Sequence, residues 1–120
     1  MFKWGKFVLH SGSQSNFLID CQSLTEEDWD GLARLVASGV SFGSVEGVPI
    51  GGLAFARALE PLATSGPLLI VDDVLTTGAS MEAQRGDREA KGVVLFARGE
   101  CPDWVVPIFQ MASAVSQRKE

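Results

Sequence analysis

The most informative segment of the chain reads Leu68-Leu69-Ile70-Val71-Asp72-Asp73-Val74-Leu75-Thr76-Thr77-Gly78-Ala79-Ser80. Its first four residues form a continuous apolar run, which is typical of a strand buried on both faces of a parallel sheet. Two adjacent carboxylates and a short Thr/Gly/Ser loop follow, and a helix is predicted to begin at Ala79. This order of strand, polar loop and helix predicts a ligand site at the carboxyl end of the strand.

The polar loop has the composition of an anion-binding site. Consecutive backbone amides in a tight turn before a helix form a concavity that holds phosphate. Gly78 lets the backbone approach a ligand closely, and the hydroxyls of Thr76, Thr77 and Ser80 can donate to phosphate oxygens. The loop lacks the lysine of a Walker A motif and the G-x-G-x-x-G pattern of a dinucleotide fold, so both of those classes are disfavoured.

The carboxylate pair gives the site a second chemical function. Asp72 and Asp73 suit the vicinal hydroxyls of a ribose, directly or through a hydrated divalent cation. A phosphate loop next to a pair of ribose-binding carboxylates predicts a site for a phosphorylated sugar.

Helical and extended patterns alternate on both sides of this segment. We predict strands over residues 7–9, 17–19, 42–46, 68–71, 92–97 and 104–108, and helices over 26–39, 51–59 and 79–91. Thr25 is predicted to cap the first helix and Gly39 to end it. Strands that alternate with helices predict right-handed crossovers and a parallel sheet with helices on both faces.

The length limits the chain to one domain, residues 1–120, and the composition excludes several classes of protein. Hydrophobic residues make up 46% and charged residues 21%, which argues against disorder. The net charge is −5 and no basic run is present, so nucleic-acid binding is not expected. The longest apolar run, residues 67–71, is far shorter than the roughly 20 residues of a membrane span, and residues 1–10 lack the order of a signal peptide. Cys21 and Cys101 form neither a disulfide framework nor a metal-ligand spacing, so a cytoplasmic domain is expected.

Residues 71–80 resemble the phosphoribosyl pyrophosphate (PRPP) signature of the type I phosphoribosyltransferases, a hydrophobic strand followed by two acidic residues and a threonine-glycine loop. Residues 6–20 resemble the N-terminal segment of the orotate phosphoribosyltransferases. Residues 94–100 resemble the strand of these enzymes that ends in an arginine facing the base. Residues 45–54 stand where the family has its pyrophosphate loop. These matches follow the family order from Lys6 to Glu100.

The resemblance implies a fold and a reaction. The expected fold is a Rossmann-like type I phosphoribosyltransferase core in a single domain, with helices on both faces of a parallel sheet and a reduced hood. The expected reaction converts orotate and PRPP, with Mg²⁺, into orotidine 5′-monophosphate and pyrophosphate. The expected partners are these small molecules and a second copy of the chain in a homodimer, without nucleic acid or membrane.

The resemblance also implies roles for individual residues. Asp72 and Asp73 would be the catalytic pair that holds the ribose hydroxyls and Mg²⁺, directly or through water. The 5′-phosphate would lie on the loop formed by Thr76, Thr77, Gly78, Ala79 and Ser80. Pyrophosphate would contact the loop formed by Glu46, Gly47, Val48, Pro49, Ile50 and Gly51. The base would lie against His10, Phe17, Leu18 and Arg98.

The sequence departs from the family pattern in three places. Only residues 60–66 stand where the family has a long mobile loop with basic residues, and they contain no Lys, Arg or His. Glu46 stands where the family often has a basic residue, and its carboxylate is expected to repel pyrophosphate unless it holds a cation. His10 stands where a lysine commonly faces the base.

Several alternatives remain open at this point. A lone histidine beside Ser-Gly is often a surface turn residue, and Arg98 could pair with Glu100 or Asp103 instead of a base. The retained N-terminal segment and Arg98 favour an orotate transferase. The missing basic loop favours a non-catalytic PRPP- or nucleotide-binding sensor, and a transferase for another base is the third alternative.

Overall fold

The computed structural model describes residues 7–9 and 24–111. Five strands, three α-helices and one 3-10 turn make up the described fold. In chain order they are β1 (Phe7–Leu9), α1 (Glu26–Gly39), β2 (Ser44–Gly47), α2 (Leu53–Leu59), a 3-10 turn (Glu60–Leu62), β3 (Leu68–Leu75), α3 (Ala79–Arg85), β4 (Ala90–Ala97) and β5 (Val105–Met111).

The strands form one sheet in the order β1-β5-β4-β3-β2, and every neighbouring pair is parallel. Gly47 at the end of β2 is in register with Val71 of β3, and Leu75 at the end of β3 is in register with Ala97 of β4. The loops that follow β2, β3 and β4 therefore leave the same edge of the sheet. The predicted parallel α/β architecture is confirmed.

Helices cover both faces of the sheet. Alternate residues of β3 and β4 point to opposite sides, so each face contributes side chains to its own buried cluster. One buried cluster joins α1 and α2 to the sheet through Trp29, Ala33, Val36, Phe55, Leu59, Leu69, Val71, Val93 and Leu95. The Trp29 and Phe55 rings in this cluster lie 5.1 Å apart. The opposite cluster joins α3 to the sheet through Ile70, Met81 and Val94.

The first helix has the predicted bounds. Thr25 Oγ1 accepts a hydrogen bond from the Asp28 amide at 3.1 Å, and the Thr25 amide donates to Asp28 Oδ2 at 2.9 Å. This reciprocal capping box satisfies two backbone donors that would otherwise lack partners at the start of the helix. The last helical residue is Gly39, as predicted.

The prediction that the third helix continues to Lys91 is wrong. Helix α3 ends at Arg85 because Gly86 has a φ of +61°, and β4 already begins at Ala90. Pairing of Ala90 with Leu68 in the sheet overrides the helical pattern in this region. None of the described helices combines the length and the apolar character that crossing a bilayer requires.

Other predicted bounds differ by a few residues. Strand β3 runs four residues beyond the predicted end at Val71, so the carboxylate pair lies within the strand. Strand β2 begins at Ser44 instead of residue 42, and α2 begins at Leu53 because residues 49–52 form turns. The strands predicted over 92–97 and 104–108 are observed as Ala90–Ala97 and Val105–Met111, and the extended segment predicted over 17–19 lies outside the described residues.

The connection from α2 to β3 is short and attached to the segment that precedes β2. The Thr64 amide donates to the Phe42 carbonyl at 2.9 Å, and the Gly43 amide donates to the Pro67 carbonyl at 3.0 Å. A Cβ on Gly43 would lie 2.7 Å from the Gly66 carbonyl oxygen, so the two segments are in close contact. These contacts hold the connection at the edge of the sheet opposite to the loops that follow β2, β3 and β4.

Candidate active site

The carboxylate pair is held by backbone amides of its own strand. Asp72 is buried, with 7% of its surface exposed, whereas Asp73 is half-buried. The Asp73 amide donates to Asp72 Oδ1 at 2.8 Å, and the Val74 amide donates to Asp73 Oδ1 at 2.7 Å. Both carboxylates therefore have a fixed direction at the carboxyl end of β3.

Burial gives Asp72 unusual acid–base behaviour. Desolvation raises the pKa of Asp72 to about 7, and the Asp73 carboxyl, which shares a hydrogen bond and repels a second negative charge, acts in the same direction. The hydrogen bond from the Asp73 amide opposes this shift. Near neutral pH the free protein therefore contains both protonated and ionised Asp72, so this group can donate a hydrogen bond as well as accept one.

The loop after β3 presents backbone donors. Gly78 has a φ of +89°, a conformation that strongly favours glycine, and the Ala79 amide donates to Thr77 Oγ1 at 3.2 Å. Within residues 24–111, the amides of Thr77, Gly78 and Ser80 make no hydrogen bond. These amides and the side chains of the loop line a concavity that also contains Asp72. The predicted phosphate loop and Asp72 therefore line one concavity.

The loop between β2 and α2 packs directly on the carboxylate pair. A Cβ on Gly51 would lie 2.5 Å from both carboxylate oxygens of Asp73, and one on Gly52 would lie 2.4 Å from the Val71 carbonyl oxygen. Only glycine permits this approach, because a side chain at either position would displace β3 or its carboxylate. The segment predicted to hold pyrophosphate therefore lies beside the predicted ribose site.

Hydrogen bonds within this loop leave few of its donors available to a ligand. The Val48 amide donates to the Val71 carbonyl at 2.9 Å, the Gly52 amide to the Val48 carbonyl at 2.8 Å, and Pro49 has no amide hydrogen. In the described part of the chain, no backbone hydrogen bond from the Ile50 or Gly51 amide is found. The donors that remain are therefore at residues 50 and 51, next to Asp73.

Glu46 holds a cation from its own chain. Its carboxylate accepts hydrogen bonds from Arg88 Nη1 at 2.7 Å, from Arg88 Nη2 at 3.0 Å and from Gln84 Nε2 at 3.0 Å. The hydrogen bonds from Arg88 and then Gln84 lower the pKa of Glu46. The charge that was expected to repel pyrophosphate is therefore paired with a guanidinium.

The segment after β4 places Arg98 beside the loop that follows β3. The Arg98 amide donates to the Leu75 carbonyl at 2.8 Å, and a Cβ on Gly99 would lie 2.5 Å from the Thr76 carbonyl oxygen. One on Gly78 would lie 3.2 Å from the Pro102 ring. The start of the β4–β5 connection therefore packs against the loop that follows β3.

The Arg98 side chain is exposed, and no hydrogen bond or ion pair engages it within residues 24–111. Pairing with Glu100 or Asp103, one of the alternatives left open by the sequence, is not observed in that part of the chain. The guanidinium is thus available to a ligand on the described surface.

Sequence reasoning located part of the site and missed its supporting contacts. The other residues predicted to contact the base, His10, Phe17 and Leu18, lie outside the described residues. Arg88 and Gln84 were not predicted as partners of Glu46, because 42 and 38 residues separate them from it and no local pattern links them. Gln110 on β5, which donates to the Gly99 carbonyl in the turn formed by residues 97–99, was likewise missed.

Comparison with known proteins identifies the family. No protein-family model matches the sequence. The orotate phosphoribosyltransferase of Pyrobaculum aerophilum is 33% identical over 136 aligned positions, which include 82% of this chain and 70% of that protein. The chain belongs to the type I phosphoribosyltransferase family. Because the 136 aligned positions exceed the 120 residues of this chain, the relative has residues within the matched region that this chain lacks.

A solved structure with a likeness to this chain is the xanthine-guanine-hypoxanthine phosphoribosyltransferase of Helicobacter pylori. It is 17% identical, the match covers 93% of this chain and 97% of that chain, and the TM-score is 0.41.

Proposed function

We propose that this protein binds PRPP at the carboxyl ends of β2, β3 and β4 and transfers its phosphoribosyl group to orotate, giving orotidine 5′-monophosphate and pyrophosphate. The observation that carries the proposal is the contact between three elements of one site. A carboxylate pair on β3 lies between two loops: one whose amides at residues 77, 78 and 80 make no hydrogen bond within the described residues, and a glycine loop at residues 50 and 51.

Each end of PRPP has a complementary surface in this arrangement. The 5′-phosphate binds the loop formed by Thr76, Thr77, Gly78, Ala79 and Ser80, where backbone amides and hydroxyls donate to its oxygens. The ribose hydroxyls bind Asp72 and Asp73. Pyrophosphate binds the opposite loop through the amides of Ile50 and Gly51, while Glu46 supports that loop by holding Arg88.

The donor set is compatible with Mg²⁺. No group of three or more His, Cys, Asp or Glu side chains that could enclose a metal occurs among the described residues. Mg²⁺ is usually held by one or two carboxylates together with water and substrate phosphates. Asp72 and Asp73 fit this pattern directly or through water. When bound, Mg²⁺ neutralises charge on the departing pyrophosphate.

The protein contributes to the reaction by positioning and by electrostatics. Orotate N1 bonds to C1 of the ribose as the bond from C1 to pyrophosphate breaks, and the N1 proton passes to solvent. The two carboxylates hold the ribose hydroxyls while positive charge develops at C1, and the loop amides hold the phosphate ends. No nucleophilic side chain of the protein is required.

Arg98 supports orotate as the base. Its planar guanidinium has the fork geometry that a carboxylate such as that of orotate accepts, and the described surface offers it no internal partner. The turn that carries it contacts the phosphate loop, so base and sugar phosphate bind side by side. His10, Phe17 and Leu18 complete the proposed base site from the N-terminal segment.

Two exposed apolar residues, in the β2–α2 loop and at the start of α2, support assembly as a homodimer. Ile50 is 82% exposed and Leu53 is 40% exposed, so two large apolar side chains stand at the rim of the proposed pyrophosphate site. A second copy that covers them removes apolar surface from water and shields the site. Sedimentation equilibrium tests this association, and a monomer at all concentrations excludes it.

One observation favours a second candidate, a non-catalytic PRPP-binding sensor. The connection between α2 and β3 has no basic residue, and hydrogen bonds to Phe42 and Gly43 hold it at the edge of the sheet opposite to the site. It cannot bring a cation to the pyrophosphate. Binding of PRPP without transfer to orotate identifies this alternative.

The test is calorimetric titration of PRPP with Mg²⁺, followed by addition of orotate while the loss of orotate absorbance is measured. Binding of PRPP and turnover of orotate support the proposed transferase. Turnover only with a different base would keep the transferase and replace orotate as its substrate. Asp73→Asn is expected to weaken PRPP binding and to abolish turnover, whereas Asp30→Asn on the exposed face of α1 is the matched control. Equal PRPP affinity in wild type and Asp73→Asn overturns the site.

A further inference from the structure

Gln110 contacts the turn that carries Arg98. Gln110 lies on β5 in register with Ala97, the last residue of β4. Its Nε2 atom lies 3.2 Å from the carbonyl oxygen of Gly99 and 3.4 Å from those of Ala97 and Met111. An amide nitrogen carries two hydrogens, so the side chain can serve both carbonyls of the turn.

These two carbonyls flank Arg98 in the chain. On the other side of the turn, the Arg98 amide donates to the Leu75 carbonyl at 2.8 Å, and Gly99 packs against the Thr76 carbonyl. The backbone around Arg98 is therefore fixed from β5 by a side chain and from β3 by a main-chain hydrogen bond. Between these supports only the Arg98 side chain projects outward as an exposed group.

We infer that Gln110 is a positioning residue for base recognition: it holds the turn at residues 97–99 so that Arg98 faces the bound base. This inference rests on the proposed function, because it assigns Arg98 to the base carboxylate. Among the described residues, the hydrogen bonds of the Gln110 side chain all go to backbone carbonyls. The inference therefore assigns the effect of Gln110 on binding to the position of the turn.

The inference requires Gln110 to affect the base more than the sugar phosphate. The test compares the affinities of orotidine 5′-monophosphate and ribose 5-phosphate, two ligands that differ in the base, by calorimetry in the absence of pyrophosphate. Gln110→Met removes both N–H donors without adding charge. It is expected to weaken binding of orotidine 5′-monophosphate roughly three- to tenfold, the range of one lost hydrogen bond, and to leave ribose 5-phosphate binding unchanged.

Two further variants separate positioning from general loss of structure. Gln84→Met is the matched control, because it removes a partly buried glutamine amide that contacts Glu46 instead of the Arg98 turn. Gln110→Leu also removes both donors without adding charge, so it repeats the test if the methionine variant folds poorly. Equal weakening of both ligands, or no weakening of either, overturns the inference.

A double-mutant cycle tests whether Gln110 acts through Arg98. In an Arg98→Ala background, Gln110→Met is expected to cause no further loss of affinity for orotidine 5′-monophosphate. A full additional loss in that background assigns Gln110 a structural role independent of Arg98 and overturns the inference.

Failure of the proposed function gives a different result. If the wild-type protein binds ribose 5-phosphate as tightly as orotidine 5′-monophosphate, the assignment of orotate as the base is wrong. Hydrogen exchange of the Arg98 amide then decides the role of Gln110. Faster exchange in Gln110→Met than in Gln84→Met supports its hold on the turn, and equal exchange overturns it.

Discussion

Gly51 lies directly against the carboxylate of Asp73. A Cβ at this position would stand 2.5 Å from both carboxylate oxygens, closer than a carbon atom and an oxygen can approach without bonding. Residues separated by 22 positions therefore form a single surface, in which the backbone of the β2–α2 loop determines where the Asp73 carboxylate can point.

Gly51→Ala is expected to displace the Asp73 carboxylate and to weaken PRPP binding by at least tenfold, because the ribose contact and the loop amides move together. Calorimetry with PRPP and Mg²⁺ measures the effect. Gly31→Ala is the matched control, since nothing lies within 4 Å of a Cβ there, and helix α1 should gain up to about 1 kcal/mol of stability. Unchanged PRPP affinity in Gly51→Ala would show that Asp73 does not hold the ligand.

Asp72→Asn is expected to stabilise the ligand-free protein at alkaline pH. The pKa of Asp72 is about 7 in the folded state against 3.8 as the ordinary value, so the folded state binds more protons between these values. The wild type therefore loses stability as the pH rises from 4 to 7, and asparagine removes this loss.

Urea denaturation at pH 5 and pH 8, in the presence of a chelator, measures the difference between wild type and Asp72→Asn. The free energy of unfolding of Asp72→Asn should exceed that of the wild type by more at pH 8 than at pH 5. The affinity of the variant for PRPP is expected to fall. Asp30→Asn serves as the control for a general change in net charge. An advantage that is equal at both pH values contradicts the assigned cause.

Arg98→Ala is expected to weaken binding of orotate or orotidine 5′-monophosphate at least tenfold and to change PRPP affinity less than twofold. The guanidinium is free of internal ion pairs in the described residues, so its removal leaves no buried partner unpaired. Arg34→Ala on the exposed face of α1 is the control. Equal losses for both ligands would assign Arg98 a structural role.

Glu46→Gln is expected to lower stability at neutral pH by a small amount, and this loss is expected to shrink as the pH falls below 4.5. Hydrogen bonds from Arg88 hold the pKa of Glu46 below its ordinary value of 4.5. The contribution of the pair is therefore fully present above pH 4.5 and is lost as the pH falls through the lowered folded value. Denaturation of wild type and variant between pH 3 and pH 7 measures it, and a difference that does not shrink as the pH falls below 4.5 contradicts this explanation.

The sequence predicted the features of the fold that depend on local patterns. Thr25 caps α1 as predicted, because a threonine directly before an acidic first turn is a local pattern, whereas the reciprocal bond with Asp28 was not predicted. The apolar run before Asp72 predicted a buried strand for the same reason. The predicted end of α3 was wrong because the pairing of Ala90 with Leu68, a contact between residues distant in the chain, outweighs the helical pattern.

The residues of the candidate site likewise fall into those that a local pattern predicts and those that only contacts between distant residues bring together. The carboxylate pair and the phosphate loop are contiguous in the chain and were visible as a motif. The cation held by Glu46 comes from Arg88, 42 residues further on, and the support of the Arg98 turn comes from Gln110 on another strand. Such contacts are determined by strand order and register, which a single sequence does not specify.

The short connection between α2 and β3 makes this protein a suitable host for loop grafting. Thr64 and Pro67 are both hydrogen-bonded to the segment before β2, so a transplanted hairpin would depart from and return to adjoining points without altering the sheet. Only a basic hairpin long enough to reach the opposite edge of the sheet would bring cations to the proposed phosphate and ribose contacts. Comparing the original and the chimera would then measure the rate gain from closure separately from the affinity due to ligand capture.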